Sequence, residues 1–524
     1  MRERIAALAL VLAAAPLVLL AGKAVGADGA AAGDQGRAIF EGTCAACHGT
    51  DLAGGRGPSL FDSRLLARLG DEGLHQRISD GVPGTEMPAF AKTYSEGQID
   101  SIVAYLHRRS AQLAPTAGPA QAPPAAPAPD PNGQRIHTAR QDIRLVTVAE
   151  GLDTPWAVDF LPDGRALVTE RTGQLRIVSA DGKLLPQPVS GIPKVHTGQD
   201  AGLFDVAVSP RYAEDGWVYL AYSDDNPADP APPPPEPGTP SYLVKRKPSM
   251  TVIVRGRIDA RNRWTDQQDI FRAPWPLYTP SGMHYGCRLL FDGKGHLYFT
   301  LGERGDMANA RRLDTPLGKV HRVNLDGSIP PDNPFAKQQG AVGSIWSIGH
   351  RNPEGLAIDP STGLLWESEH GPVGGDEINI VQPSKDYGWG TVSKGIQPGI
   401  EEVSAPGLVD PVVWYFPTIA PSGIAFYEGD RYPEWKGSLF VTGLRGEQLR
   451  RLEIQGRKVR AQEIVFAQLG RVRDVTTGPD GLLYVLVQHP TGPGTGLDLS
   501  DPAPGALVRL DPITWKQEPF RRPQ

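Results

Sequence analysis

One motif recurs six times between residues 162 and 486: a tight turn ending in glycine, followed at once by an apolar strand. It reads Pro162-Asp163-Gly164 before Arg165–Thr169, Glu214-Asp215-Gly216 before Trp217–Ala221, and Lys294-Gly295 before His296–Thr300. It continues as Thr362-Gly363 before Leu364–Ser368, Lys436-Gly437 before Ser438–Thr442, and Pro479-Asp480-Gly481 before Leu482–Leu486. Asp-Gly and related turns joined to β-rich runs mark hairpins. Six of them, roughly 60 residues apart, predict radial repetition, with room in each unit for four strands and long loops. The expected architecture is therefore mainly β, a six-bladed β-propeller over residues 141–515. Two stacked sandwiches would need a Pro/Gly-rich boundary at the midpoint of the series, and none interrupts it there.

Composition narrows the classes further. Lys and Arg number 53 against 59 Asp and Glu, a formal charge of −6, so no nucleic-acid partner is expected. Three cysteines in 524 residues exclude a disulfide scaffold and any four-cysteine metal site. Residues 1–27 carry Arg2 and Arg4, an apolar run from Ile5 to Gly22, and the small-residue exit Val25-Gly26-Ala27. That is the layout of a signal peptide, which predicts a periplasmic or secreted protein beginning near Asp28. The alternative is an uncleaved membrane anchor, against which Pro16 and the small-residue exit argue. A membrane partner is expected only if the segment is retained. Between Ala111 and Arg135, 15 of 25 residues are Pro or Ala, which predicts a semi-rigid linker over 111–135. A second tract, Asn226 to Pro240, holds eight prolines in fifteen residues and reads as a surface loop within the large module.

The small module, residues 34–110, contains Cys44-Ala45-Ala46-Cys47-His48, the C-x-x-C-H haem attachment pattern. Two thiols at that spacing can form thioethers to one haem, with His48 under the iron. A zinc site would need two more soft ligands, but the remaining cysteine, Cys287, lies across the linker. A thioredoxin-type site would need a surrounding βαβ pattern, which is absent. Met87, in Gly84-Thr85-Glu86-Met87-Pro88, is the one methionine between the motif and the linker and is the expected sixth ligand. His/Met ligation raises the potential and leaves no open position, so the module should carry electrons. Ser95 and Gln98 form a capping box, and Ile99, Ile102, Val103 and Leu106 repeat at helical spacing. Gly36 and Phe40 suit an opening helix packed against that last one. These features resemble the class I cytochrome c family, which implies a small all-α domain with covalent haem c.

Unusual polar clusters fall between the repeated strands of the large module, as a site at one end of a central channel requires. They are Gly198-Gln199-Asp200, Met283-His284-Tyr285-Gly286 with Arg288, His350-Arg351-Asn352, Glu369-His370-Gly371-Pro372 with Asp376-Glu377, Pro417-Thr418, and Arg471-Val472-Arg473-Asp474. Arginines near a channel can bind an anionic guest or can pair with Asp and Glu between blades, and composition alone leans to the second. Carbonyls at Gly371-Pro372 and the carboxylates of Asp376 and Glu377 could take a hard cation such as Ca²⁺. His284 could be a general base or a satisfied structural histidine.

In order and wording, these segments resemble the soluble PQQ-dependent glucose, aldose-sugar and sorbosone dehydrogenase family, from about Val146 to Asp511. The resemblance implies an oxidoreductase that oxidises aldoses to lactones. It implies that His284 takes the proton of the sugar hydroxyl while hydride passes to PQQ, with Gln199 and Arg351 over cofactor and substrate. It further implies that Asn352, Thr418, Arg471 and Arg473 hold PQQ, and that Gly371 and Pro372 hold Ca²⁺. Two departures stand out: Met283 occupies the position of an acid that precedes the histidine in some relatives, and a PQQ-holding lysine has Arg445 as its nearest counterpart. A sugar substrate and a downstream respiratory electron acceptor are the implied partners. Two other functions fit a propeller, a non-catalytic glycan- or protein-binding module and a Ca²⁺-dependent sugar lactonase; the electron-carrying neighbour counts against the lactonase.

Overall fold

The structure is a computed structural model that describes residues 35–44, 48, 60, 63–81, 87, 89–113, 130–230, 232–233, 246–397, 399–491 and 502–513. The expected signal segment, Cys47, most of the 111–135 linker and most of the Pro-rich tract lie outside the described residues. The chain divides into two compact units, Met1–Thr116 and Ala117–Gln524. Among the described residues no helix is long and apolar enough to cross a membrane.

The first unit is helical. An opening helical segment over 35–44 ends in a π-helical turn at Phe40–Cys44, and longer helices run over Ser63–Asp80 and Glu96–Leu113. Gln98 Oε1 accepts the Ser95 amide at 2.9 Å, so the expected capping box closes the last helix's start. Its apolar stripe of Ile99, Ile102, Val103 and Leu106 is buried against Phe40, Leu74 and Ile78. The opening helix approaches this stripe closely enough that a Cβ on Gly36 would lie 2.0 Å from the Ser101 carbonyl oxygen. Only glycine permits that crossing.

The second unit is a ring of six antiparallel sheets. Blade one contains Pro155–Phe160, Ala166–Glu170 and Gln174–Val178, and blade two Leu203–Val208, Val218–Asp225, Ser249–Ile258 and Trp264–Phe271. Blade three contains Leu289–Phe291, His296–Leu301, Lys319–Asn324 and Ile345–Ile348, and blade four Pro353–Ile358, Leu365–Glu369, Asp376–Val381 and Val413–Tyr415. Blade five contains Pro421–Phe426, Leu439–Gly443, Gln448–Gln455 and Lys458–Ala467. Blade six joins Arg471–Thr477, Leu483–Gln488 and Pro504–Pro512 to Ile143–Asp153 from the start of the domain, with Leu145 opposite Leu510. This pairing closes the ring with the first and last strands of the propeller and removes a long open edge.

All six motif glycines sit in turns between a blade's first and second strands, with φ between 66° and 98°, a region costly for any residue with a Cβ. Blade one has three regular strands where four are expected. Its fourth edge is irregular, tied only by bonds such as Leu185 N to Ile177 O and Val189 N to Leu175 O. Pro186, Pro188 and Pro193 interrupt that segment, and proline cannot donate to a ladder.

The first strands of successive blades neighbour one another around the channel. Carboxylates on them stitch the blades: Asp159 accepts the Val208 amide, Asp205 the Leu289 amide and Asp474 the Val158 amide. Arg288 spans the middle, donating to Asp205 at 3.3 Å, Asp474 at 3.0 Å and the Glu354 carbonyl at 3.0 Å. For Arg288 the inter-blade pairing that composition favours is what the fold contains. Burial pushes Asp159 up to about 6 and Asp205 up to about 7.

Candidate active site

The glycine turns mark one end of the ring, so the loops that enter each first strand, and those that leave each second strand, lie at the other. Every polar segment singled out in the large module falls there. Gln199 and Asp200 precede Leu203, Met283–Arg288 precede Leu289, His350–Asn352 precede Pro353, and Thr418 precedes Pro421, while Arg471 and Arg473 open blade six. After the second strands come Arg171, Glu303 with Arg304, His370–Pro372, and Arg445.

His284 is mostly buried and has φ 55°, a conformation non-glycine residues seldom adopt. Its amide donates to Asp200 Oδ2 at 3.3 Å, and its ring Nδ1 lies 2.9 Å from Glu303 Oε1. A carboxylate at Nδ1 fixes the tautomer with the proton there and leaves Nε2 as the basic nitrogen. Burial alone would raise the Glu303 carboxyl; the His284 hydrogen bond and the nearby charges of His284 and Arg351 hold it below its ordinary value. Gln199 also has positive φ, 54°, and its carbonyl accepts from Arg171 Nη1 at 2.8 Å. Its side chain lies so near the histidine loop that a Cβ on Gly282 would be 2.3 Å from Gln199 Oε1.

Opposite these stand the arginines. Arg351 donates its amide to Glu369 Oε2 at 2.6 Å and Nη1 to the His370 carbonyl at 3.2 Å, and its guanidinium lies 5.2 Å from the Trp389 ring centre. Asn352 accepts the Gly286 amide at 3.0 Å and donates to Glu354 at 3.0 Å, bridging blades three and four. Glu354 also accepts from Arg473 Nη1 and from Ser422, each at 3.0 Å. Burial, with the neighbouring charges of Arg473 and Arg171, pushes Arg471 down to about 9. The Nε atoms of Arg351, Arg471 and Arg473 are buried without a hydrogen-bond partner. This end of the channel therefore holds guanidinium nitrogens that its carboxylates do not satisfy, whereas Arg288, paired with two aspartates and a carbonyl, leaves Nη2 alone without a partner. Arg445 is exposed, and its charge and that of Arg471 both bear on Glu447.

Beside Arg351 lies a cavity of about 20 Å³, bordered by Glu369, Gly371, Pro372, Glu377, Tyr387 and Ser393. Behind it Asn379 Nδ2 donates to Glu367, Glu369 and Glu377 at 3.1, 3.2 and 3.2 Å. One amide serves three carboxyls, and burial together with the Glu369 charge drives Glu367 and Glu377 well above the usual carboxylate range. Glu367 Oε1, Asn379 Oδ1 and His350 Nδ1 have no hydrogen-bond partner. Asp376 is differently employed from what its sequence position suggests. Its carboxylate accepts from Gly371 N, Thr418 Oγ1, Ile419 N and Ala420 N, at 2.9, 2.7, 2.6 and 2.9 Å. It shapes the Gly371 and Thr418 loops and has little capacity left for a cation. In the helical unit, His48 is buried, and Cys44 and Met87 border one apolar core.

Residues 152–495 match the family model described as Glucose / Sorbosone dehydrogenase, and residues 31–106 match that of cytochrome c oxidase, cbb3-type, subunit III. The aldose sugar dehydrogenase of Escherichia coli is 38% identical over 369 residues, covering 68% of this chain and 93% of the relative. The crystal structure of the soluble aldose sugar dehydrogenase from Escherichia coli, in its apo form, is similar at TM-score 0.61 and 34% identity, covering 71% of this chain and 100% of that one. The PQQ-bound aldose sugar dehydrogenase of Streptomyces coelicolor is similar at TM-score 0.53 and 28% identity, covering 73% and 100%. The chain belongs to the glucose/sorbosone dehydrogenase family. It is an oxidoreductase with a cytochrome c domain ahead of its propeller.

Within this family member, reading between the strands missed Arg171, Glu303, Arg304, Glu354 and Trp389. A signal for three of them was present. An acid followed by a base stands at the end of a blade's second strand, or just beyond it, at Glu170-Arg171, Glu303-Arg304 and Glu369-His370. Such a pair at one phase of a repeat places charge at one end of the ring.

Proposed function

We propose that this family member is a periplasmic or secreted dehydrogenase that oxidises aldose-type sugars to lactones, using PQQ and Ca²⁺, and passes the electrons to its own covalent haem c. The observation that carries this reading is the pairing of a carboxylate-oriented histidine, His284–Glu303, with three buried guanidiniums whose Nε atoms lack partners.

That charge excess fits a planar polycarboxylate such as PQQ, whose carboxylates would meet Arg471 and Arg473, with Asn352, Thr418 and Arg445 at its rim. The ion-sized cavity fits Ca²⁺, with Gly371 and Pro372 offering carbonyls, and Glu369 and Glu377 relieved of mutual repulsion by a divalent charge. Asp376 then acts by shaping the loop. Bound there, PQQ supplies a two-electron hydride acceptor and Ca²⁺ a Lewis acid that polarises it.

The chain's own residues do the rest. His284 Nε2 takes the proton of the anomeric hydroxyl, and Glu303 steadies the imidazolium through Nδ1. Gln199 orients the sugar, and the Arg351 guanidinium over Trp389 stabilises negative charge that develops opposite His284. Cys44, Cys47, His48 and Met87 would hold haem c, and a tethered electron acceptor stays at high effective concentration. A haem held there would supply one-electron transfer toward a respiratory acceptor.

The test is reconstitution with PQQ and Ca²⁺, followed by a screen of aldoses, oligosaccharides and sorbosone with haem absorbance as readout. Sugar-dependent haem reduction in the absence of any added acceptor is expected. A loaded protein whose haem stays oxidised with every sugar would overturn the electron route, and failure to bind PQQ would overturn the whole reading.

A further inference from the structure

His284 is not held by Glu303 alone. The loop that carries it contains two non-glycine residues at positive φ, His284 at 55° and Cys287 at 96°. Each such conformation is strained and persists only when the surroundings over-determine it. Glu303 grips the imidazole ring but no atom of that backbone; Asp200 Oδ2 accepts the His284 amide at 3.3 Å, Asn352 Oδ1 the Gly286 amide at 3.0 Å and the Thr300 carbonyl the Cys287 amide at 2.9 Å, which leaves the carbonyls of Ser281 and Met283 to be held.

Arg304 holds both of these carbonyls. Its Nε donates to the Met283 carbonyl at 2.9 Å, Nη2 donates to the Ser281 carbonyl, and the guanidinium carbon lies 3.7 Å from the centre of the Tyr285 ring. Three residues flanking His284 are thus held by one planar cation. The fork is anchored in blade two, where Nη1 donates to the Ser249 carbonyl at 2.9 Å and Nη2 to Ser249 Oγ at 3.3 Å. Ser249 Oγ in turn lies 2.8 Å from the Tyr285 hydroxyl, which closes the frame. Arg304 is fully buried, so its donors meet carbonyls, a hydroxyl and a ring face in place of water.

We propose that Arg304 is a positioning residue for His284: it fixes the backbone of residues 281–285 so that the imidazole presents Nε2 to the substrate. The proposal rests on the reading of His284 as the base. Consecutive residues then divide one task, Glu303 setting the ring's tautomer and Arg304 setting where the ring stands. Lysine cannot substitute, because a point charge on a flexible stem can neither span two carbonyls and a third anchor nor stack on Tyr285.

The test uses the full-length protein loaded with PQQ and Ca²⁺, with turnover expressed per loaded site. Arg304→Lys is expected to lower kcat about 100-fold, the loss that a displacement near 1 Å produces, with KM changed by less than about threefold. PQQ affinity, titrated on the apo-protein, should stay at the native value. In the apo-protein, His284 should react faster with diethyl pyrocarbonate than in the native chain. Glu303→Gln should cost much less in the Arg304→Lys background than alone, since both act through one imidazole. Native turnover per loaded site in Arg304→Lys overturns the proposal, and so does a loss confined to melting temperature or loading. If Arg304→Lys does not fold, Tyr285→Leu removes the ring beneath the guanidinium and should move the same readouts, more weakly; unchanged readouts there overturn the proposal. His284→Ala separates the two claims: native turnover in that variant overturns the base assignment itself, whatever Arg304 does.

Discussion

The two ends of the propeller are built on opposite rules. At the turn end, strands one and two of every blade are joined by the same device, a glycine at positive φ, and three of the six, Gly295, Gly363 and Gly437, face open space. At the site end, left-handed backbone is carried by Gln199, His284, Cys287, Arg304 and Ala420, side chains that tolerate it poorly. Arginine and carboxyl groups are buried there with atoms unpaired. Glycines at positive φ lie among the site loops too, at Gly198, Gly286, Gly305 and Gly349, but there they stand beside side chains held in the same conformation and beside unpaired charge, fixed by the rigid sheets between the two ends. The difference teaches where the chain concentrates its chemistry, and it can be attacked from either side.

The largest expected effect follows from the arginines. Arg471 is held down to about 9, chiefly by burial and then by the charge of Arg473. Its charged form is disfavoured in the apo-protein, so Arg471→Gln should raise the apo melting temperature. The same substitution removes a partner from an anionic cofactor, and PQQ should bind about 100-fold more weakly. Calorimetry and PQQ titration on one preparation read both signs. A variant that is less stable as apo-protein and still binds PQQ normally would place Arg471 among the structural arginines, with Arg288.

A smaller effect separates the ends by pH. Glu303 and Glu354 sit at the site end. Burial would raise both carboxyls, but His284 and Arg351 lower the first, and His370 and Arg473 lower the second, to values below the ordinary 4.5. A carboxyl whose native value lies below its unfolded one adds stability that is complete above pH 4.5 and is lost as pH falls through the native value. Glu354→Gln should therefore flatten the fall of melting temperature on the acid side of 4.5 while lowering the plateau above it. Parallel acid limbs in native protein and variant would show that Glu354 is no source of that slope.

How much of this could be read in the chain follows the same division. The turn end was legible because its device is local: Asp-Gly and Lys-Gly before a β-rich run specify a hairpin without help from distant residues, and six of them specify a ring. The helical unit was legible for the same reason, through Ser95, Gln98 and the stripe from Ile99 to Leu106. At the site end, sequence could find His284, Arg351 and Arg473 as unusual residues but could not pair them. Glu303 lies 19 residues from His284, Asp474 lies 186 from Arg288, and Glu354 lies 119 from Arg473. The first forms once blade three's opening hairpin is folded, and the other two exist only when the ring brings distant blades together. Asp376 illustrates the limit: beside Gly371-Pro372 it resembles a cation ligand, whereas four donors, three of them more than 40 residues away, have already claimed its oxygens.

The smallest effect tests the relaxed end directly. Gly363 has φ 71°, and a Cβ there would meet nothing within 4 Å. Alanine at this position therefore adds no clash, only the cost of holding an L-residue in the left-handed region, about 1 kcal/mol. In a domain of this size that shifts the melting temperature by about 2 °C, and kcat and KM should stay native because no site residue lies at that end. Gly371 is the control at the other end. A Cβ there would lie 2.2 Å from the Gly374 carbonyl oxygen and 2.5 Å from that of Gly375, so the loop bordering the cation cavity would have to move. If Gly363→Ala lowered turnover of the folded protein as Gly371→Ala should, the two ends would be mechanically coupled, and the division of labour between them would be lost.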